Sequence, residues 1–248
     1  DLLQRAEGLY TNMVYKARLY IRFAEMWLKE GNQELVELNI QKVNKIIESV
    51  EINIQDEILD ALSRYYYELS QDDKEMECIG RKSDDYARIS ALFRFCYHCI
   101  WNDRRDDAYK IINMCQTLLE KKDDSPQKNA MYGKIIQQYC EMGDFVKAEE
   151  VFAQHKDKIL GDLTERNCEL AVEDMAKMLV KNGRQEEALP LFLKLRKLNS
   201  RGKRDSLLTE IVKAYARAGD INTVRQVLVD NDSEYALEAV FAFMNAGH

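Results

Sequence analysis

Apolar residues return along this chain every three or four positions, in segments long enough for four or five helical turns, and the segments come in pairs. The clearest pair is YGKIIQQYCEMGDFVKAEEVFAQH, Tyr132 to His155. An apolar-periodic helix runs to a Gly143-Asp144 turn, and a second helix follows with the small Ala148 and the aromatic Phe152 on one side. The same pattern returns as LVKNGRQEEALPLF from Leu179 and as YARAGDINTVRQVL from Tyr215. Aligned on the turn, the repeats centre on Gly31, Gln71, Asp103, Gly143, Gly183 and Gly219, at spacings of 32 to 40 residues. Five residues after these turns stand Val36, Met76, Ala108, Ala148, Ala188 and Val224. Four before them stand Trp27, Tyr67, Cys99, Tyr139, Leu179 and Tyr215. Small or slender residues opposite large ones let two antiparallel helices approach closely, and recurrence at this period marks stacked helical repeats.

The pattern predicts helix pairs near 11–50, 54–80, 83–120, 126–160, 163–198 and 203–231, with a last helix at 233–245. The expected fold class is all-α: a right-handed α-solenoid of about six helix-turn-helix repeats plus an unpaired last helix, forming a single domain over 1–248. In the second pair, DDKEMECIG is short and ends at Gly80, so an irregularity is expected between Asp72 and Asp84. Ser125-Pro126 reads as an N-cap and a first-turn proline, Asp144 and Asp220 as N-caps, and Ser233 as the cap of the last helix. Pro190 should bend its helix or stand exposed on it. The last helix is apolar on more than one side, and the chain begins with Asp1, so a fragment of a longer protein is expected.

Composition narrows the function. Two prolines and ten glycines in 248 residues suit helices rather than a turn-rich β fold. A net charge of −7 argues against general attraction to nucleic acid or anionic lipid. Up to Asp124 there are 18 basic against 24 acidic residues, and after it 18 against 19, so cations are relatively enriched toward the C-terminus. No apolar run approaches a membrane span. The six cysteines fall mostly on apolar helix faces, as reduced, buried thiols of a cytoplasmic protein would.

Little in the sequence points to catalysis. Cys96-Tyr97-His98-Cys99 comes nearest to a metal motif, and Cys115 could approach it. The two cysteines hold apolar positions of the repeat, however, and are read as small core residues. The three histidines, His98, His155 and His248, have no triad-like spacing, and no phosphate loop, HExxH or EF-hand loop occurs. Acidic pairs such as Asp72-Asp73 and Asp106-Asp107 lie at helix starts, where carboxylates favour the helix dipole. The basic run from Lys194 to Arg204 is read as a solvated helix end and loop. No enzyme activity, cofactor or metal is expected.

The first helices offer the better surface. Positions six and two before each turn are four apart and share a face. That face reads Tyr65, Leu69, Tyr97 and Trp101 in the middle of the chain. After Gln137 it becomes basic, with Lys177, Lys181, Lys213 and Arg217. An aromatic anchor zone beside cations suits an extended or helical peptide carrying acidic groups. These nine residues are the expected partner-binding groove.

The segment YGKIIQQYCEMGDFVKAEEVF resembles the tetratricopeptide repeat: Tyr132, Ile135, Tyr139, Gly143, Asp144, Ala148 and Phe152 match its pattern in order. Tyr20, Phe23, Ala24, Trp27 and Gly31 match in the first pair, and Met175, Ala176, Leu179, Gly183, Ala188 and Phe192 in the fifth. The spacing departs from the family's repeat of about 34 residues, and Ile136 and Val212 replace a small residue of the first helix. The resemblance implies a non-catalytic scaffold that binds a protein or peptide. The groove positions hold no Asn, so the family's carboxylate clamp is not carried over. Pentatricopeptide RNA binders look similar, but the charge balance speaks against nucleic acid. A regulatory or docking region of a larger enzyme is a further alternative.

Overall fold

The structure, a computed structural model, describes residues 12–196, 205–229, 241–242 and 244–246. Among these residues there are twelve α-helices and no strand. The chain forms two compact units, residues 1–102 with 107–118 and residues 103–106 with 119–248.

The first unit holds α1 (Met13–Lys29), α2 (Gln33–Ser49), α3 (Ile52–Glu68), α4 (Asp72–Gly80), α5 (Asp85–Trp101) and most of α6 (Arg105–Glu120). Helix α1 packs on α2 and on α3, α3 packs on α4 and on α5, and α2 and α4 each touch the following first helix. Val14, Ala17, Ile21, Val43, Ile47, Ile58, Leu59 and Leu62 form the core of the first two hairpins. The second unit repeats the arrangement with α7 (Pro126–Glu141), α8 (Phe145–Gly161), α9 (Arg166–Lys181), α10 (Gln185–Arg196), α11 (Asp205–Arg217) and α12 (Ile221–Val229). There α7 packs on α8 and α9, and α9 packs on α10 and α11. Within each unit, packing runs in series from hairpin to hairpin.

Local chemistry sets the helix limits. The side chains of Asn12, Asn32, Asp84, Ser125, Asp144 and Asp220 each accept a hydrogen bond from a first-turn N–H, which supplies a partner to a donor the helix leaves orphaned. Pro126 stands at the first turn of α7, and α4 ends at Gly80, both as the sequence predicts. Pro190 lies exposed within α10. The predicted last helix from Ser233 and its cap lie largely outside the described residues, as do Lys197 to Arg204 of the basic run and His248.

The turns share one geometry. Gly31, Gly143, Gly183 and Gly219 have φ between 72° and 77°. The N–H after each donates back to the fifth residue before the glycine's successor: Asn32 to Trp27 O at 2.9 Å, Asp144 to Tyr139 O at 2.9 Å, Arg184 to Leu179 O at 2.8 Å and Asp220 to Tyr215 O at 3.1 Å. This is the 6→1 closure of a Schellman motif, which occupies a last-turn carbonyl.

The second hairpin corrects the sequence alignment by one residue. Its left-handed residue is Ser70, φ 52°, not Gln71, and Gln71 N–H closes the motif on Tyr66 O at 3.0 Å. No glycine marks the left-handed position here; the third turn also lacks one, but there the alignment's Asp103 is the left-handed residue, φ 55°. Tyr66 and Glu75 therefore hold the places that the alignment gave to Tyr67 and Met76.

Candidate functional site

The predicted groove residues divide between the two units. In the first, Trp101 is the last residue of α5, and its side chain is 77% exposed. Tyr97, one turn earlier, is half-buried, with its ring centroid 6.5 Å from that of Trp101 and the planes tilted by 55°. The two rings form an aromatic patch at the end of α5.

Tyr65 and Leu69 do not extend it. Tyr65 is buried, 5.3 Å from the Tyr66 ring, and Leu69 is partly buried against the core of the first two hairpins. The cause is the one-residue shift at Ser70, because a step of one on a helix turns a side chain by about 100°. Both residues line a cleft of about 350 Å³ between α2 and the end of α3, with Leu28 and Ile40. Arg64 and Glu68, both exposed, occupy the surface positions instead.

In the second unit, Gln137 is also removed from the surface, with 5% exposure. Its Nε2 donates to Asn167 O at 3.1 Å and to Gly133 O at 3.4 Å, bridging α7 to the start of α9. The helices nearly touch here: a Cβ on Gly133 would stand 2.6 Å from Asn167 O. Gly133 supplies the close approach that the sequence comparison sought at Ile136.

Lys177 and Lys181 are one turn apart on α9, and Lys213 and Arg217 one turn apart on α11, which packs on α9. Lys181 and Arg217 are exposed, while Lys177 and Lys213 are partly so. Acidic neighbours offset part of this charge. Lys177 Nζ lies 2.5 Å from Glu173 Oε1 and 3.9 Å from Asp174 Oδ1, and Lys213 Nζ lies 3.8 Å from Glu210 Oε1. Burial pushes the Asp174 carboxyl above its ordinary value, although Lys177 pulls it down. The strip is therefore a mixed-charge surface with a cationic edge.

The cysteine cluster is a core feature. Cys96, Cys99 and Cys115 are wholly buried, and Cys96 Sγ faces Ala108 O at 3.7 Å. Desolvation pushes the Cys115 thiol up, disfavouring the thiolate that metal binding needs. Among the described residues, no group of three His, Cys, Asp or Glu side chains is placed to hold a metal ion. His98 packs its ring on Tyr67, at 4.8 Å, and His155 stacks on Tyr132 at 3.6 Å. Burial, Lys158 and Lys128 lower the His155 pKa.

Sequence reading missed a charged cleft of about 490 Å³ on the first helices of the first unit. At its centre the Asp60 carboxylate meets Arg64 Nη2 at 2.9 Å, Arg94 Nη1 at 3.3 Å and Lys82 Nζ at 3.4 Å. Burial pushes the Asp60 carboxyl up, but Lys82, Arg94 and Arg64 outweigh it and hold the group below its ordinary value. Asp56 ties in the following turn by accepting from Ser83 N and Asp84 N, both at 2.9 Å. Only the Asp60–Arg64 pair, four apart on one helix, was legible in the sequence. The other cations arrive from separate elements.

The serial hairpins, their shared Schellman turn and their small-against-large contact define an all-α protein of helix-turn-helix repeats. No family model matches the chain, and no curated protein matches it. A solved structure from the "Functional Characterization of Pseudomonas Aeruginosa pilF" is similar at 17% sequence identity and a TM-score of 0.49. The match covers 96% of this chain and 100% of that one. Among the described residues, no helix is long and apolar enough to cross a membrane.

Proposed function

We propose that this protein is a non-catalytic scaffold that docks a protein or peptide partner on the exposed faces of its first helices. The observation that carries the reading is the Trp101 side chain, 77% exposed beside Tyr97. Large aromatic rings left in solvent lose apolar hydration only when a partner covers them, and such rings dominate interface energetics. The second-unit strip of Lys177, Lys181, Lys213 and Arg217 fits a partner with acidic groups. The six free cysteines, five of them buried, fit a reducing, cytoplasmic setting.

Peptide arrays drawn from proteins captured with the native chain test this reading. Wild type should retain a subset of peptides that Tyr97→Ala and Trp101→Ala lose, with helical circular dichroism unchanged in both variants. Undiminished binding by both variants would overturn the aromatic site. Capture dominated by RNA, with steep salt dependence, would replace the reading by a nucleic-acid one.

A further inference from the structure

Helix α4 has nine residues, whereas α2 has 17 and α6 has 16. At 1.5 Å per residue, α4 stops about 11 Å short of its counterparts. Beyond its end at Gly80 lies a groove of about 580 Å³, with Met114, Thr117 and Leu118 of α6 on one side and Arg88 and Lys110 among its lining. A Cβ built on Gly80 would meet nothing within 4 Å, so the helix end faces open space.

The residues of α6 fit this gap. Eleven places after the turn, the equivalent positions in other hairpins hold Lys42, Gln154 and Lys194. In α6 that position is Met114, 44% exposed. An unbranched, polarisable side chain stands where the repeat otherwise keeps a solvated polar one, and methionine adapts its shape to what covers it. No carboxylate lines the groove, in a chain of net charge −7. Lys110 pairs with Asp107 at 3.0 Å and Arg88 with Asp85 at 3.2 Å, each within its own helix. The exposed Lys110 pair holds its partner weakly and exchanges readily with another carboxylate, whereas Arg88 is half-buried and also donates to Lys82 O.

We propose that this groove docks a short amphipathic helix of a protein partner, apolar on one side and flanked by carboxylates, in the place of the turns that α4 lacks. The occupant is helical because the space it fills is the continuation of a helix. It is acidic at its flanks because the rim offers Arg88 and Lys110. This site is independent of Trp101, so either can fail alone.

The test uses the full chain carrying ¹³C-methyl methionine. The probe is a stapled helical peptide of about eleven residues, three turns, with Leu at an i, i+3, i+7 spacing and Glu beside them. It should shift the Met114 methyl resonance saturably. Met114→Lys, which restores the residue type of the other hairpins, should weaken binding at least about tenfold at unchanged thermal stability. Lys110→Glu should weaken the Glu-flanked peptide but not a Lys-flanked one. Trp101→Ala should leave this binding intact. An unmoved Met114 methyl would overturn the proposal. So would equal affinity in Met114→Lys, equal binding of a peptide with alternating apolar residues, or self-association of the chain that Met114→Lys abolishes.

Discussion

The Glu75 carboxylate lies 3.9 Å from Arg94 Nε, fully withdrawn from solvent, and neither of its oxygens accepts a hydrogen bond among the described residues. It stands five residues after the left-handed Ser70, where the other hairpins place Val36, Ala108, Ala148, Ala188 and Val224. Arg94 is shared, since its guanidinium also reaches Asp60 and Ser63 on α3. A carboxylate in an apolar contact is costly to ionise, and one distant cation compensates only part of that cost.

Burial pushes the Glu75 carboxyl from 4.5 up to about 7, against the pull of Arg94 and aided by Asp72. Between these values the unfolded chain has released a proton that the folded chain still binds, so folding stability falls as pH rises from 4.5 through 7. Glu75→Gln removes the titration. Chemical denaturation of wild type at steps across that range should show a decline on the order of 1–3 kcal/mol that the variant lacks. Parallel curves for the two proteins would show that Glu75 is ionised throughout.

Ser70 pays for a backbone region that glycine enters freely. Ser70→Gly should stabilise the protein by about 0.5–1 kcal/mol. Gln71→Gly should destabilise it or leave it unchanged. Urea midpoints distinguish the two, and a gain from Gln71→Gly instead would restore the alignment read from sequence.

Gly133→Ala would drive a methyl group against the Asn167 carbonyl, which is backbone and cannot swing aside. We expect a loss of about 1–3 kcal/mol, together with a change in the methyl spectrum of the α7–α9 contact. An unperturbed melting curve would mean that the helices separate there without cost.

Ala148→Leu and Ala188→Leu each place three extra carbons at wholly buried positions. The hairpins α7–α8 and α9–α10 should lose about 1–3 kcal/mol apiece through overpacking. Val146→Leu, at a position 66% exposed and two residues before Ala148, serves as the surface control and should shift the midpoint little.

Trp101→Ala removes the largest exposed ring and should change unfolding free energy by no more than about 0.5 kcal/mol. Tyr66→Ala, at the buried aromatic position of the second hairpin, should cost about 3–5 kcal/mol. Comparable losses from both would place Trp101 in the core and remove the basis for the aromatic surface.

The order of helices, their caps and the four glycine turns were legible in the sequence because each rests on local chemistry. Asp144 accepts from an N–H three residues away, and Gly143 supplies a left-handed backbone without help from any distant residue. Ala148 and Tyr139 announced the hairpin contact through spacing alone. The short α4 was legible too, since Gly80 stops it and its apolar run is brief. The same counting set Tyr97 and Trp101 on one face of their helix.

Tertiary structure decided which polar residues are withdrawn from water. The turn at Ser70 has no glycine, and one residue of slip exchanged Tyr65 and Leu69 for Arg64 and Glu68 at the surface. Gln137 left the groove because α9 crosses α7 at Gly133 and offers it the Asn167 carbonyl. Asp60 gathers Lys82 and Arg94 from positions 22 and 34 residues away. Glu75 is buried by neighbours its own helix does not name. Helical periodicity assigns a side chain to a face, but only the packed neighbours decide whether that face meets solvent, a partner carbonyl or an opposing charge.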